Sequence, residues 1–233
     1  MSKEVAVIVG VGPGLGRALV ARCSSEGMAV AAVARDADRL REVTKGLRKV
    51  TVYGADASDS QSLKATFRRI SADLGEPDLV IFNAGTFEPG DVLNITPEDF
   101  ERCWQIGCLG GLITAQEAAK QMLPRGHGTI IFTGATAALR GSKGFVNLAV
   151  PKFGLRALSQ CLARELGPKG IHVAHVIIDG QIESERHADL AKQRGADALL
   201  KPKHIADAYM TLHRQERDTW TQELDMRPWS EKF

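Results

Sequence analysis

A glycine-rich turn near the N-terminus is the first segment whose residue types indicate chemistry. The turn reads Gly10-Val11-Gly12-Pro13-Gly14-Leu15-Gly16. It follows the apolar segment Val5–Val9 directly and leads into a segment of helical period. Glycines let backbone N–H groups approach a phosphate, and the N-terminus of the following helix adds partial positive charge. Strand, turn and helix in this order predict that Gly10, Gly12, Gly14, Leu15 and Gly16 bind the pyrophosphate of a dinucleotide.

The end of the second apolar segment bears on which dinucleotide binds. In such sites an acidic side chain bonds the ribose hydroxyls of NAD, whereas a basic one accommodates the 2′-phosphate of NADP. The sequence here reads Ala34-Arg35-Asp36. Asp36 lies near the spacing of a ribose ligand, but it also opens a helix, where aspartate is a good N-cap. We favour the cap for Asp36 and the 2′-phosphate for Arg35, so NADP is the expected cofactor and NAD the alternative. A solvated surface charge is the competing interpretation of Arg35.

Short β-branched segments alternate with segments of helical period along the whole chain. The predicted strands are Val5–Val9, Ala29–Val33, Val50–Tyr53, Leu79–Phe82, Thr129–Phe132 and Val173–Ile178. The predicted helices are Leu15–Glu26, Asp38–Lys45, Ser60–Leu74, Pro97–Met122, Pro151–Leu166 and His204–Arg214. Strands this apolar fit a parallel sheet that helices cover on both faces. The alternation predicts an α/β fold, a single doubly wound domain over residues 1–233 with a mainly parallel sheet. The charged segment Glu183–Leu200 is the expected substrate lid, because it follows the sixth strand.

Several segments taken together resemble the short-chain dehydrogenase/reductase family. They are the glycine turn, Asp56 after the third strand, Asn83-Ala84-Gly85 after the fourth, Lys152, and Gly167–Val173 at the start of the sixth strand. The resemblance reaches to about Ser184 and implies a Rossmann-type domain that binds NAD or NADP. It places Asp56 near the adenine, and Asn83, Ala84 and Gly85 in a turn that supports the sheet and the cofactor.

The segment Asp179–Ser184 extends this resemblance. It is similar to the family's Pro-Gly-x-Ile-x-Thr segment, although Asp179 stands where proline is usual. The resemblance implies that the Ile182 backbone and the Ser184 hydroxyl contact the nicotinamide carboxamide.

The resemblance also implies a catalytic set of which this chain keeps one member. In the family a tyrosine protonates the substrate oxygen, a lysine four residues later lowers its pKa and holds the ribose, and a serine about thirteen residues upstream polarises the oxygen. Lys152 matches the lysine, which places Leu148 at the tyrosine and Ala135 at the serine. Gly107 stands at the position of a catalytic asparagine. Leucine cannot donate a proton, and neither Tyr53 nor Tyr209 has a lysine four residues on.

Two polar residues could take over part of this chemistry. Thr136 and Asn147 lie near the same strand end and could bond a substrate oxygen. The competing interpretation of each is a polar loop residue without a catalytic role. His127 is expected to be structural, because it lies just before the fifth predicted strand, at the opposite end of the sheet from the crevice. His172 and His175, around the sixth strand, are expected to be structural too.

Composition and charge exclude several classes of protein. Thirty Lys and Arg residues against 28 Asp and Glu residues give a net charge of +2 without a basic stripe, so nucleic acid is not an expected partner. The cysteines Cys23, Cys103, Cys108 and Cys161 lie far apart, which predicts free thiols in the cytoplasm and no metal site. No apolar segment approaches the ~20 residues of a membrane span, so no membrane association is expected.

The predicted helix from Pro151 carries two apolar stripes. One consists of Leu155, Leu158, Leu162 and Leu166, and the other of Phe153, Ala157 and Cys161. One stripe can cover the sheet, and the other needs a cover of its own. Similar family members pair through this helix, which implies a homodimer or homotetramer; a second layer within the chain is the alternative.

Two classes of function follow. The first is an NADP-binding oxidoreductase with atypical or lost acid/base chemistry, acting on an unidentified small molecule that needs little acid assistance, such as an activated C=C bond. The alternative is a non-catalytic NADP-sensing module or a structural subunit of an oligomer, with no substrate. The glycines, Arg35 and Lys152 fit both classes. Loss of a general acid removes typically about 10²–10⁴-fold of rate, so ordinary carbonyl reduction should be slow.

Overall fold

One sheet of seven parallel strands runs through the protein. The computed structural model describes residues 4–231. The strands are β1 (Val5–Val9), β2 (Ala29–Ala34), β3 (Val50–Gly54), β4 (Leu79–Phe82), β5 (Gly128–Thr133), β6 (Ile171–Ile178) and β7 (Glu223–Met226). They lie in the order β3-β2-β1-β4-β5-β6-β7, and every neighbouring pair is parallel. This confirms the predicted α/β fold with a doubly wound parallel sheet.

Helices cover both faces of the sheet. They are α1 (Leu15–Ser25), α2 (Ala37–Val43), α3 (Ser60–Leu74), α4 (Pro97–Trp104), α5 (Gly110–Met122), α6 (Val146–Leu166), α7 (Ala188–Arg194) and α8 (Pro202–His213). Alternate residues of β1 point to opposite faces, since Val7 and Val9 pack with α3, α5 and α6, whereas Ala6 and Ile8 pack with α1, α2 and α8. The two apolar cores hold the carboxyl ends of β1 and β4 side by side, where the strand order reverses. In such sheets this reversal creates a crevice for ligands.

The prediction of one uniform helix over Pro97–Met122 was wrong. A π-helical turn, Gln105–Leu109, joins α4 to α5. Small residues allow close packing there, because a Cβ on Gly110 would lie 2.5 Å from the Ala57 carbonyl oxygen and one on Gly107 would lie 3.0 Å from Pro151 Cβ. A π-turn adds one residue to a single turn and leaves little trace in apolar periodicity.

The start of α6 and a seventh strand also differ from the sequence prediction. Helix α6 begins at Val146, so Pro151 lies inside it rather than at its start. Asn147 and Leu148 therefore belong to the helix. The seventh strand, β7, was missed, because this short polar strand at the edge of the sheet lacks the apolar run that marked the other six.

The segments around β6 complete the architecture. The expected lid contains a 3₁₀ turn (Glu185–His187), α7 and a second 3₁₀ turn (Ala196–Ala198). On α6, Leu155 and Leu166 are buried against the sheet, whereas Phe153, Ala157 and Cys161 are exposed. Among the described residues, no helix is long and apolar enough to cross a membrane.

Candidate functional site

Two adjoining cavities follow the carboxyl edge of the sheet. Cavity A, of about 500 Å³, is lined by residues that include Gly10, Gly12, Arg35, Arg39, Asp56, Asn83, Ala84, Gly85 and Arg102. Cavity B, of about 550 Å³, is lined by residues that include Gly10, Gly12, Gly14, Leu15, Gly16, Asn83, Gly85, Thr133, Ala135, Ile182 and His187. The two cavities share Gly10, Gly12, Asn83 and Gly85, so they form one crevice. It brings together most of the residues that the sequence assigned to a cofactor.

The glycine turn has two kinds of glycine. Gly10 has a φ of 94°, and a Cβ there would lie 2.3 Å from the Ala84 backbone nitrogen. A Cβ on Gly16 would lie 2.7 Å from Val11 Cα, so this glycine lets α1 pack against the turn. Gly12 and Gly14 differ, because a Cβ on either would meet no atom within 4 Å. Their bare backbone therefore faces open space at the N-terminus of α1, a geometry suited to a phosphate.

The turn after β4 fixes the neighbouring edge of the crevice. The Asn83 side-chain amide donates to the Gly10 carbonyl oxygen at 2.8 Å, and the Asn83 backbone N–H donates to the Val9 carbonyl at 2.8 Å. These two bonds join the ends of β1 and β4. Asn83 therefore supports this edge of the sheet, and its contact with a cofactor stays a prediction.

Arg35 and Asp36, at the end of β2, have different surroundings. Asp36 caps α2, since its Oδ1 accepts a hydrogen bond from the Arg39 backbone N–H at 2.9 Å. This confirms the predicted cap. Arg35 is exposed at the rim of cavity A, and Arg39 lines the same cavity. Sequence analysis missed Arg39, although its position four residues after Arg35 would bring two cations to one strand end.

Asp56 lies across cavity A from these arginines. Burial would raise the pKa of its carboxyl, but hydrogen bonds from the Ser58 N–H at 2.9 Å and the Ser58 hydroxyl at 2.7 Å, together with the charge of Arg35, lower it overall. The carboxylate is therefore held ionised and in one orientation. An ionised carboxylate can accept a hydrogen bond from an exocyclic amine such as that of adenine.

Lys152 is buried below the other end of the crevice. Its Nζ donates to the Thr133 carbonyl oxygen at 2.6 Å, and a Cβ on Gly85 would lie 3.6 Å from the same Nζ. Thr133 Oγ1 accepts in turn from the hydroxyl of Tyr209 at 2.9 Å. Burial lowers the pKa of Lys152 to about 8. The ammonium has spare hydrogens, because the described residues provide no other acceptor for it.

Apolar residues stand at the three positions that the family resemblance assigns to the catalytic tyrosine, serine and asparagine. Leu148 is half-buried on α6, one turn before Lys152, and Ala135 is half-buried at the edge of cavity B. Gly107 is buried in the π-turn against Pro151. A proton donor for a substrate therefore has to come from elsewhere.

The two candidate substitutes are engaged with the protein. The Thr136 hydroxyl donates to Asp179 Oδ1, and the other carboxylate oxygen of Asp179 pairs with Arg227 at 3.3 Å. Asn147 Nδ2 donates to the Glu88 carbonyl oxygen at 3.4 Å, whereas its buried Oδ1 has no partner among the described residues. Neither side chain lines cavity A or cavity B. Their substitution for the missing groups stays a prediction.

The segment after β6 brings an unexpected histidine to cavity B. His187 Nδ1 lies 2.8 Å from the Ile182 carbonyl oxygen and 3.1 Å from Ser184 Oγ. Ile182 lines the cavity with His187, whereas Ser184 does not line it. Sequence analysis assigned Ile182 and Ser184 but overlooked His187. Its position three residues after Ser184, in a segment expected to border the crevice, was the available signal.

The remaining histidines and the cysteines lie outside both cavities. His127 Nδ1 is 3.7 Å from Asp78, His172 stacks on Trp220 with 4.9 Å between ring centres, and His175 contacts Glu223 at 3.2 Å. All four cysteines are free thiols. Within residues 4–231, no group of three or more His, Cys, Asp or Glu side chains has the arrangement of a metal site.

Comparison with known proteins gives one family over nearly the whole chain. The family model described as short chain dehydrogenase matches residues 4–195. Sorbitol-6-phosphate 2-dehydrogenase of Escherichia coli strain K12 is 28% identical over 214 residues, which cover 89% of this chain and 83% of that protein.

Two solved structures show the same likeness in three dimensions. A short-chain dehydrogenase from Rhodopseudomonas palustris is 32% identical, with a TM-score of 0.83 and coverage of 97% of this chain and 99% of that one. A short-chain dehydrogenase/reductase from Serratia marcescens BCRC 10948 is also 32% identical, with a TM-score of 0.84 and coverage of 97% and 96%.

Proposed function

Because the chain belongs to the short-chain dehydrogenase family, we propose that it is an oxidoreductase that binds NADP(H) along cavities A and B, with acid/base chemistry unlike the family's usual set. The observation that carries this proposal is Lys152, a buried ammonium with unused hydrogens beside Thr133 and Gly85, two residues that line cavity B. Burying such a group is costly unless it gains further hydrogen bonds. Ribose hydroxyls are acceptors that would supply them.

The residues present fit a dinucleotide along the crevice. The open backbone of Gly12 and Gly14 would hold the pyrophosphate at the N-terminus of α1. Asp56 would bond the adenine in cavity A, and Lys152 would hold the nicotinamide ribose. Ile182 and Ser184 would meet the carboxamide, as the family resemblance implies.

Two observations favour NADP over NAD. Arg35 and Arg39 both lie at cavity A, where a 2′-phosphate would project, and guanidinium groups bind phosphate strongly. The Asp36 carboxylate already accepts the Arg39 N–H as a helix cap, so it is less available to ribose hydroxyls. The expected cofactor is therefore NADP(H), with NAD(H) as the weaker ligand.

When bound, the nicotinamide supplies or accepts a hydride. The chain's own residues would bind and orient the ribose through Lys152 and the carboxamide through the Ile182 backbone. No hydroxyl at position 148 or 135 is available to protonate a substrate oxygen. A substrate that takes its proton from water, such as an activated C=C bond, fits this site better than a simple ketone does.

A second function, a non-catalytic NADP-binding module, is favoured by the packing at Gly107. A Cβ there would lie 3.0 Å from Pro151 Cβ, a separation tighter than most real contacts, so α6 occupies space that an asparagine side chain needs. This close contact supports the interpretation that the chain lacks the family's catalytic amide. Such a protein would bind the cofactor but convert no substrate.

Assembly and location are part of the same proposal. Phe153 and Val150 on α6 are each 43% exposed, and the nearby Trp104 is 38% exposed. We expect a second copy of the chain to cover this apolar surface in a homodimer or homotetramer. The free thiols suit a reducing compartment such as the cytoplasm.

The experiment that tests the proposed function measures NADPH oxidation with an activated enone and with an unactivated ketone. An oxidoreductase of this kind turns over the enone faster, whereas a binding module turns over neither while still binding NADPH. Brisk reduction of the unactivated ketone would contradict both candidates, because it requires an acid that neither provides.

A further inference from the structure

His187 is the ionisable side chain that lines cavity B. It ends the 3₁₀ turn Glu185–His187 and is half-buried. Within the described residues, the rest of the lining of cavity B consists of glycines, apolar residues and neutral polar residues. The imidazole therefore faces the same space as the open backbone of Gly12 and Gly14.

The hydrogen bonds of the imidazole leave one ring nitrogen for a ligand. Nδ1 lies 2.8 Å from the Ile182 carbonyl oxygen, which can only accept, so Nδ1 carries a hydrogen and donates. Ser184 Oγ, at 3.1 Å, lies beside the same nitrogen. None of the side chains and backbone groups that the structure describes forms a hydrogen bond with Nε2. The ring is thus fixed through one nitrogen, and the other is free to bind in the cavity.

The opposite wall of cavity B attracts an anion but carries little charge. The N-terminus of α1 supplies only about half an elementary charge, against roughly two on a pyrophosphate. Arg17, the nearest cation along the chain, is exposed, and its Nε donates to the Val43 carbonyl oxygen at 3.0 Å. A cation from another segment would complete the site, and His187 lies where such a cation is needed.

The position of His187 also indicates which phosphate it meets. Cavity A holds Arg35 and Asp56, which belong to the adenosine half of the proposed site, whereas cavity B holds Thr133 and Ala135 beside Lys152. A phosphate in cavity B is therefore the one nearer the nicotinamide.

We propose that His187, as an imidazolium, donates from Nε2 to the nicotinamide-side phosphate of the dinucleotide. In that state both ring nitrogens donate, Nδ1 to Ile182 and Nε2 to the phosphate. The bond joins the segment after β6 to the cofactor. This inference rests on the proposed function, since it concerns the same dinucleotide site.

Three ligands and two substitutions separate this role from a structural one. NADPH and 2′-phospho-ADP-ribose contain the nicotinamide-side phosphate, whereas adenosine 2′,5′-bisphosphate lacks it. Asparagine places an amide nitrogen as far from the backbone as Nδ1, and glutamine places one as far as Nε2. His187→Asn therefore keeps a donor for the Ile182 carbonyl oxygen and lacks one for the phosphate. His187→Gln keeps a donor for the phosphate and lacks one for the Ile182 carbonyl oxygen. His204→Asn, at an exposed position on α8, is the matched control.

Isothermal titration calorimetry measures the three affinities for each variant, and circular dichroism verifies folding. His187→Asn should weaken NADPH and 2′-phospho-ADP-ribose by about tenfold or more and leave adenosine 2′,5′-bisphosphate within about twofold. His187→Gln should lose less affinity than His187→Asn, and His204→Asn should match the wild type.

Four results would overturn the inference. If His187→Asn bound NADPH like the wild type while His187→Gln failed to bind it, only the Nδ1 contact would matter. Equal weakening of all three ligands would mean that the phosphate is not the partner. A wild type that binds none of the three would refute the proposed function and this inference together, whereas unchanged NADPH binding by both variants would refute this inference alone.

Discussion

The Nζ atom of Lys152 donates a 2.6 Å hydrogen bond to the carbonyl oxygen of Thr133, the last residue of β5. The Lys152 side chain thus extends from α6 to the carboxyl end of the sheet, where cavity B lies. The ammonium is buried there with one acceptor among the described residues, and burial lowers its pKa to about 8. Lys152 is therefore placed for a ligand at a cost to the stability of the free protein.

Replacing this lysine should affect stability and binding in opposite directions. Lys152→Met removes a buried ammonium and should stabilise the free protein at pH 7 by about 1–3 kcal/mol, less what the Thr133 carbonyl loses with its donor. The same change should weaken NADPH binding by about 1–3 kcal/mol, because ribose hydroxyls lose a charged donor. Chemical denaturation and calorimetry measure the two quantities.

The stability difference should also depend on pH. The pKa of Lys152 is about 8 in the folded protein and 10.5 by default in the unfolded chain, so the unfolded state binds more protons between these values. Wild-type stability relative to Lys152→Met should therefore rise from pH 8 to pH 10.5, by up to about 3 kcal/mol. Lys45→Met, at an exposed lysine just after α2, should show no such slope. A flat difference for Lys152→Met would contradict a buried ammonium.

The Asp36 cap should contribute to the stability of the protein but not to its preference for NADPH over NADH. Asp36→Ala removes the acceptor of the Arg39 N–H and should lower the free energy of unfolding by about 0.5–2 kcal/mol. Asp38→Ala, at an exposed position in the same helix, is the control. The preference for NADPH over NADH should not change. Selective loss of NADH affinity in Asp36→Ala would instead identify Asp36 as a ribose ligand.

Two substitutions should partly restore a proton donor for the substrate. Leu148→Tyr places a phenol one turn before Lys152 on α6, and Ala135→Ser adds a hydroxyl at the edge of cavity B. The double variant should reduce an activated diketone with NADPH at least about tenfold faster than the wild type, a small part of the ~10²–10⁴-fold available from general acid catalysis. Leu148→Phe with Ala135→Ser controls for bulk, since it lacks the phenol.

Either of two outcomes would contradict this account of the site. A wild type that already reduces the diketone as fast would show that another group donates the proton. A double variant that folds and binds NADPH but stays inert would show that the site has lost more than its acid, which favours the binding module. Gly107→Asn should be added last, because its Cβ would crowd Pro151.

Much of the fold follows from local pattern, because buried parallel strands are continuous apolar runs. The bounds of β1 and β4 matched the prediction, and the glycine turn was recognised from its place between a strand and a helix. β7 was not predictable in this way, since its polar residues only become a strand by pairing with β6. The π-turn at Gln105–Leu109 and the start of α6 before Pro151 depend on contacts between helices that the sequence does not display.

Features of the candidate site that depend on one local segment could be predicted from the sequence. Features that depend on contacts between distant segments could not. The open backbone of Gly12 and Gly14 and the Asp36 cap are local properties. The burial of Lys152 against Thr133 depends on the packing of α6 on β5. His187 reaches cavity B only because the segment after β6 turns back towards the glycines, which no periodicity records.

Calorimetric titration of the wild type with NADPH and with NADH tests most directly whether this crevice binds NADP(H). The account predicts that NADPH binds about 10- to 100-fold more tightly than NADH, because charge-assisted bonds from Arg35 hold the 2′-phosphate. Arg35→Ser should remove most of this difference without changing NADH affinity. Equal affinities in the wild type, or no binding of either dinucleotide, would contradict the account.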